Sequence, residues 1–177
     1  MSGYIEIIIG NMFSGKTTKL LKRYKFFKIA GKKCVIIKYH LDTRYSTTGI
    51  ATHDMLVNEK DVISLENLSD LKNVNEFDVI LVDEGQFFKN IVEFAEKWAN
   101  MGKIVVVCGL DGDFKREKFG DLTDLIPKAE KVKKIAGICG MCKTGGAAFT
   151  KKKDEKCEKN IGGSDLYISV CRECYFK

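Results

Sequence analysis

The stretch from Tyr4 to Gly31, "YIEIIIGNMFSGKTTKLLKRYKFFKIAG", constrains the fold more than any other part of the chain. Tyr4 to Ile9 is an apolar, β-branched run closed by Gly10, which reads as a buried strand. Thr17 to Ala30 sets Leu20, Leu21, Tyr24 and Phe27 at helical spacing, with Gly31 in the C-cap position. Between them, Gly10, Gly15, Lys16 and Thr17 satisfy GxxxxGK[ST] within the loop Gly10, Asn11, Met12, Phe13, Ser14, Gly15, Lys16, Thr17. Glycines let such a loop turn its N–H groups inward toward phosphate. The lysine supplies a point charge to the outer phosphates, the hydroxyl meets Mg²⁺, and the helix adds the positive end of its dipole. Met12 and Phe13 are not needed for the anion; Met12 is expected to border a second pocket and Phe13 to pack beneath the loop as core.

The rest of the chain continues the alternation. "CVIIKY" (Cys34 to Tyr39), "FDVILVDE" and "KIVVVCGL" read as strands, "NIVEFAEKWAN" as an amphipathic helix with Ile91, Phe94 and Trp98 on its core face. After Pro127 only "KVKKIAGI" looks like strand. This order argues a parallel sheet covered by helices on both faces. The composition shifts near Cys139, so two units are expected: residues 1–136 as a nucleotide-binding α/β domain and 137–177 as a small metal-stapled subdomain.

Asp83 and Glu84 stand at the end of the apolar run "VILV", where a carboxylate reaches the Mg²⁺ of a phosphate loop. Asp83 is the metal candidate. Successive residues leaving a strand point opposite ways, so Glu84 is free to face an acceptor hydroxyl as a general base, or is a surface carboxylate.

Seven cysteines in a short chain would suggest disulfides, but the count is odd and no export signal is visible. Four of them, Cys139, Cys142, Cys171 and Cys174, form CxxC…CxxC, whose two knuckles converge on a tetrahedral S₄ site suited to structural Zn²⁺. Cys34 and Cys108 fall in strands as core, and Cys157 has no assigned role. The net charge of +6 is mostly lysine spread along the chain, with a run from Thr150 to Lys156 that reads as solvated loop. Aromatics do not interleave that run, which weighs against a nucleic-acid platform and its class of NTPase. No apolar run is long enough to span a bilayer, and a cytoplasmic protein is expected. The lack of N-K-x-D disfavours a GTPase, and the chain is too short for a two-lobed helicase motor. A nucleoside or nucleotide kinase remains.

"GNMFSGKTT", "DTRYS" followed by "THD", "DEGQFF", "GLDGDF" and "IGGSDLY" before the last CxxC run in this order from Tyr4 to Phe176, and together they resemble the type II thymidine kinases of the cytosolic eukaryotic and poxviral branch. The resemblance implies an α/β fold, a P-loop-type parallel sheet flanked by helices, with a small C-terminal zinc-binding lasso subdomain. It implies ATP with Mg²⁺, a structural Zn²⁺, and transfer of the γ-phosphate to the 5′-hydroxyl of thymidine, or of a deoxyuridine-type nucleoside, giving dTMP for DNA synthesis. Carried over by position, Glu84 is the catalytic base and Asp83 serves Mg²⁺, while Asp42, Arg44 and Gln86 lie near the phosphates. Phe114 stacks on the base, and Met12, Phe87, Leu110 and Tyr167 complete its pocket. Thr150 and the lasso residues Glu158, Lys159, Asn160, Ile161 and Gly162 close over the nucleoside through backbone hydrogen bonds. The resemblance further implies a homotetramer inhibited by dTTP, with no nucleic-acid or membrane partner. The chain departs from the pattern at Asn11, where the family usually has Pro, and at Gly109, where it usually has Ala. Lys115, Arg116, Glu117 and Lys118 stand in place of a Gln-Arg-Lys-Pro run, and the lasso is about one residue shorter than usual.

Overall fold

A computed structural model describes residues 3–41, 57–154 and 162–177. Six strands form one parallel sheet: β1 (Tyr4–Gly10), β2 (Cys34–Tyr39), β3 (Val62–Leu65), β4 (Val79–Val82), β5 (Ile104–Gly109) and β6 (Lys131–Ile135). Their spatial order is β3-β2-β4-β5-β1-β6, every pair parallel. The strand "DVISL" in β3 was not foreseen; it is short, half-buried and at the sheet edge, where the apolar signal is weakest.

Helices α1 (Lys16–Ile29) and α2 (Ile91–Asn100) cover opposite faces, and the period of two along each strand sorts the core between them. Ile8, Ile36, Val79, Leu81, Val106 and Cys108 pack with Leu20, Leu21, Tyr24 and Phe27 of α1. Ile7, Ile9, Val35, Ile37, Ile80, Val82, Val105 and Val107 pack with Ile91, Ala95 and Trp98 of α2. Near-continuous apolar strands are what a sheet buried on both faces requires. Glu6 is the exception in β1: fully buried, it lies 2.9 Å from Arg23 Nε and 3.7 Å from each of the Lys131 and Lys133 Nζ atoms. A carboxylate at that depth is tolerated because it is paired.

The chain runs from β1 to β2 and β3 on one side and then turns back through β4 and β5 to β6, so the strand order reverses between β2 and β4. In open α/β sheets such a switch point opens a crevice at the carboxyl ends of the strands. The carboxyl ends of β1, β4 and β5 lie along that same edge of the sheet.

Beyond β6 the chain forms two small antiparallel sheets: β7 (Gly137–Ile138) with β8 (Gly145–Ala147), and β9 (Phe149–Lys152) with β10 (Tyr167–Val170). The one-turn helix α3 (Arg172–Tyr175) follows. Cys139, Ala147, Val170 and Cys174 make a separate small core. The lysine run therefore does not start as a solvated loop. Thr150 to Lys152 is strand, and Thr150 and Lys152 are buried, because β9 turns alternate residues inward against β10.

Candidate functional site

The alternation along β4 decides where its two carboxylates go. Val79 and Leu81 face α1, so Asp83, two residues further on, falls on the same side and meets the first turn of that helix. Thr17 Oγ1 donates to Asp83 Oδ1 at 3.2 Å, and the same oxygen accepts from the Glu84 N–H at 3.1 Å and from Cys108 Sγ at 2.9 Å. Burial, with Asp83 next in importance, pushes the Cys108 thiol well above its ordinary pKa, so it stays a donor. Glu84 adopts a left-handed backbone, φ 52°, and its carboxylate is close enough to Lys16 to act on its charge. Gln86 Nε2 donates to Glu84 Oε2 at 2.6 Å, while Gln86 Oε1 accepts the Leu110 N–H at 3.0 Å.

The phosphate loop is wound for an anion. Gly15 stands at φ 85° immediately before α1, a conformation that glycine adopts at no steric cost. Lys16 is buried and its Nζ donates to the Asn11 carbonyl at 2.7 Å; Ser14 Oγ donates to the same carbonyl at 2.8 Å. Burial lowers the Lys16 ammonium pKa, and the nearby Glu84, Cys108, Asp83 and Asp111 oppose that shift. Phe13 does not pack beneath the loop as its sequence suggested: it is 52% exposed. Its backbone is left-handed, φ 62°, in a segment whose preceding residue is pinned by the Met12 N–H bond to Thr150 Oγ1 at 3.1 Å.

Met12 is instead buried, in an apolar cluster with Leu110 and Tyr167 against which Phe114, Phe119 and Leu166 pack. Phe114 and Tyr167 rings lie 6.0 Å apart, and Lys152 Nζ sits 5.3 Å from the Phe114 ring centroid. Phe87 is one ring further out, stacked on Tyr39 at 5.3 Å and edge-on to Phe119 at 5.7 Å. A turn held by the Leu166 and Tyr167 N–H bonds to the Gly163 carbonyl, 3.2 and 3.0 Å, presents Leu166 and Tyr167 next to Gly162. The structure thus joins Met12, Leu110, Phe114, Thr150 and Tyr167 in one place beside the phosphate loop. Phe119 and Leu166 were missed; each is an apolar residue within or next to a recognised motif, and spacing gave no sign of which way it faced.

Arg116 is exposed, and it lies against the C-terminal aromatic residues. Its guanidinium lies 4.6 Å from the Tyr175 ring centroid and 4.7 Å from that of Phe176. Tyr175 OH donates to the Phe114 carbonyl at 2.8 Å, so the C-terminal residues hold the loop that carries Phe114.

The Sγ atoms of Cys139, Cys142, Cys171 and Cys174 all lie within 4.8 Å of one another. A tetrahedral zinc with bonds of about 2.3 Å has ligand edges of about 3.8 Å, and Cys142 Sγ stands 3.8 Å from Cys171 Sγ. Backbone N–H groups, first that of Cys142, then those of Cys171 and Met141, aim at the Cys139 sulfur and lower its pKa to about 6. That is the thiolate a metal needs. The donor set and its spacing fit a structural zinc. Asp42, Arg44, Glu158, Lys159, Asn160, Ile161, His53 and Cys157 lie outside the described residues. Among the described residues no helix is long and apolar enough to cross a membrane.

Residues 3–175 match the family model described as thymidine kinase. The thymidine kinase of vaccinia virus strain Western Reserve is 48% identical over 175 residues, covering 98% of this chain and 97% of that protein. Those of variola virus and of Yaba monkey tumor virus are each 47% identical, over 175 and 179 residues, covering 98% and 99% of this chain and 97% and 96% of theirs.

Proposed function

The chain belongs to the thymidine kinase family, and on that premise we propose that it transfers the γ-phosphate of ATP to the 5′-hydroxyl of thymidine, giving ADP and dTMP. One observation carries the reading: Glu84 and the Thr17–Asp83 pair diverge from the same strand end, beside the apolar cluster of Met12, Leu110 and Tyr167. A flat base enters that cluster against Phe114, with its sugar toward Glu84, and the triphosphate follows the loop from Gly10 to Thr17.

Glu84 accepts the proton of the 5′-hydroxyl as that oxygen bonds to the γ-phosphorus and the bond to the β–γ bridging oxygen breaks. Gln86 holds the carboxylate during the transfer and Leu110 fixes the amide's orientation. Lys16 leaves the Asn11 carbonyl for the outer phosphates, and inward N–H groups of the loop stabilise the charge that develops there. Thr17 and Asp83 would hold Mg²⁺, which would supply charge neutralisation to the phosphates. Asp42, Arg44 and Gly162, with the lasso residues 158–161, belong to the same reading as phosphate and nucleoside contacts.

The same family membership supports a division into residues 1–136 and 137–177, a homotetramer, dTTP as feedback inhibitor, tolerance of deoxyuridine-type nucleosides and a cytoplasmic setting. The separate small core around Cys139 and Val170 favours the division. The test is phosphorylation of a nucleoside panel by the purified protein with Mg-ATP. Formation of dTMP, reduced about 10²- to 10⁴-fold in Glu84→Gln with ATP binding retained, supports the reading. Phosphorylation of other nucleosides with thymidine untouched sinks it.

A further inference from the structure

Asn11 is the residue at which the phosphate loop meets the C-terminal strands. Its side chain is buried, and Nδ2 donates twice, to the Phe149 carbonyl of β9 at 3.0 Å and to Ser169 Oγ of β10 at 2.6 Å. Its main-chain carbonyl faces the other way and receives both Lys16 Nζ and Ser14 Oγ. Asn11 Oδ1 is buried without a hydrogen-bond partner among the described residues. Such an orphan is unfavourable, so the amide is held in this pose by its two donated bonds against a penalty. The next residue repeats the link, since the Met12 N–H is bonded to Thr150 Oγ1, and Thr150 pairs with Ser169 across β9 and β10.

We propose that Asn11 is a positioning residue that couples the two substrate sites, making nucleoside binding and ATP binding cooperative. The proposal rests on the thymidine kinase reading. A nucleoside lying on Met12 and Tyr167 presses β9 and β10 into one position relative to the loop. The Asn11 amide carries that position to the loop backbone around it, whose N–H groups meet the phosphates in the proposed reading. The phosphate site is then ordered before ATP arrives, and by reciprocity bound ATP orders the nucleoside site equally. Proline at this position would have no side-chain donor and no such link.

The experiment is calorimetric titration of the full-length zinc-loaded protein with a non-hydrolysable ATP analogue and Mg²⁺, with and without saturating thymidine. Wild type is expected to bind the analogue about fivefold or more tightly when thymidine is present. In Asn11→Ala and Asn11→Pro that ratio falls toward one. Ser169→Ala, which leaves the Phe149 bond in place, falls between and serves also if the Asn11 variants do not fold. General destabilisation weakens both affinities without erasing their ratio. A wild-type ratio in folded Ser169→Ala or Asn11→Ala overturns the coupling, as does a ratio of one in a wild type that phosphorylates thymidine. A wild type that neither binds nor phosphorylates thymidine removes the kinase reading itself, and the coupling with it.

Discussion

Gln86 lies between Glu84 and Leu110 with its amide polarity fixed: nitrogen to the carboxylate at 2.6 Å, oxygen to the backbone N–H at 3.0 Å. The sequence suggested a phosphate contact for this residue, and its described bonds instead run to the proposed base. Gln86→Leu keeps the bulk and removes both bonds. A hydrogen bond to a charged group is worth about 1.5–3 kcal/mol, so kcat for thymidine should fall by about 10-fold or more. The KM for ATP should change little, and steady-state kinetics against each substrate separate the two.

Gly109 makes room for that amide. A Cβ at this position would lie 2.3 Å from Gln86 Oε1 and 2.6 Å from Leu122 Cδ2. Gly109→Ala should therefore displace Gln86 and reproduce the loss of kcat seen in Gln86→Leu. In the double variant the two losses should not add, because both act through one bond. Additive losses would place the glycine's effect elsewhere.

Met12 is buried against Leu110 and Tyr167 while its backbone belongs to the phosphate loop. Met12→Ala empties part of the proposed base pocket. The KM for thymidine should rise several-fold, bulkier nucleosides should gain relative to thymidine, and the affinity for ATP should change less. Truncating a buried Met costs about 2–5 kcal/mol of stability, so a lowered Tm accompanies the change. Competition assays with nucleoside pairs read the selectivity directly.

Zinc removal should act at a distance. Phe149 and Ser169 hold Asn11, and Tyr175 holds the Phe114 carbonyl; the first two belong to the segment that the four cysteines close and Tyr175 directly follows the last of them. A strong chelator should lower Tm and weaken both thymidine and ATP-analogue binding. Cys139→Ser should do the same without chelator. Metal analysis and thermal melts check this, and a chelated protein with intact binding would separate the cysteine cluster from the site.

Cys34 supplies a pH dependence. Burial raises its thiol pKa to about 11, against 9.0 for the free group. The unfolded chain loses that proton near pH 9 while the folded chain keeps it, so unfolding releases a proton in between and stability falls as pH rises from about 9 to about 11. Cys34→Val should flatten that decline in Tm. An unchanged slope would assign it to other groups.

Most of the sheet and its two helices were readable because β2, β4 and β5 each carry four or more apolar residues in a row, β1 is interrupted only at Glu6, and α1 and α2 place their apolar residues at helical intervals. The side on which Asp83 falls was equally readable, since it follows from the period of a strand, whereas the left-handed backbone of Glu84 was not. β3 escaped notice because an edge strand of four residues with partial burial has no distinctive pattern. Phe13 was misplaced because nothing in a side chain's hydrophobicity reports a positive φ. Asn11 and Tyr175 were unreadable for a different reason: their partners Phe149, Ser169 and Phe114 lie 61 to 158 residues away. A motif names the residues that meet a ligand; contacts of that separation exist only once the chain has closed.

The place of β1 in the sheet has a consequence for how the protein is made. Among the described residues Tyr4–Gly10 pairs with Ile104–Gly109 and Lys131–Ile135, about a hundred or more positions later in the chain, so during synthesis Ile5, Ile7, Ile8 and Ile9 stay uncovered until those strands emerge. A nascent or prematurely ended chain of about a hundred residues is then a sticky strand with a half-built nucleotide cradle. Such fragments are natural clients for chaperones and proteases, and only the finished chain escapes them.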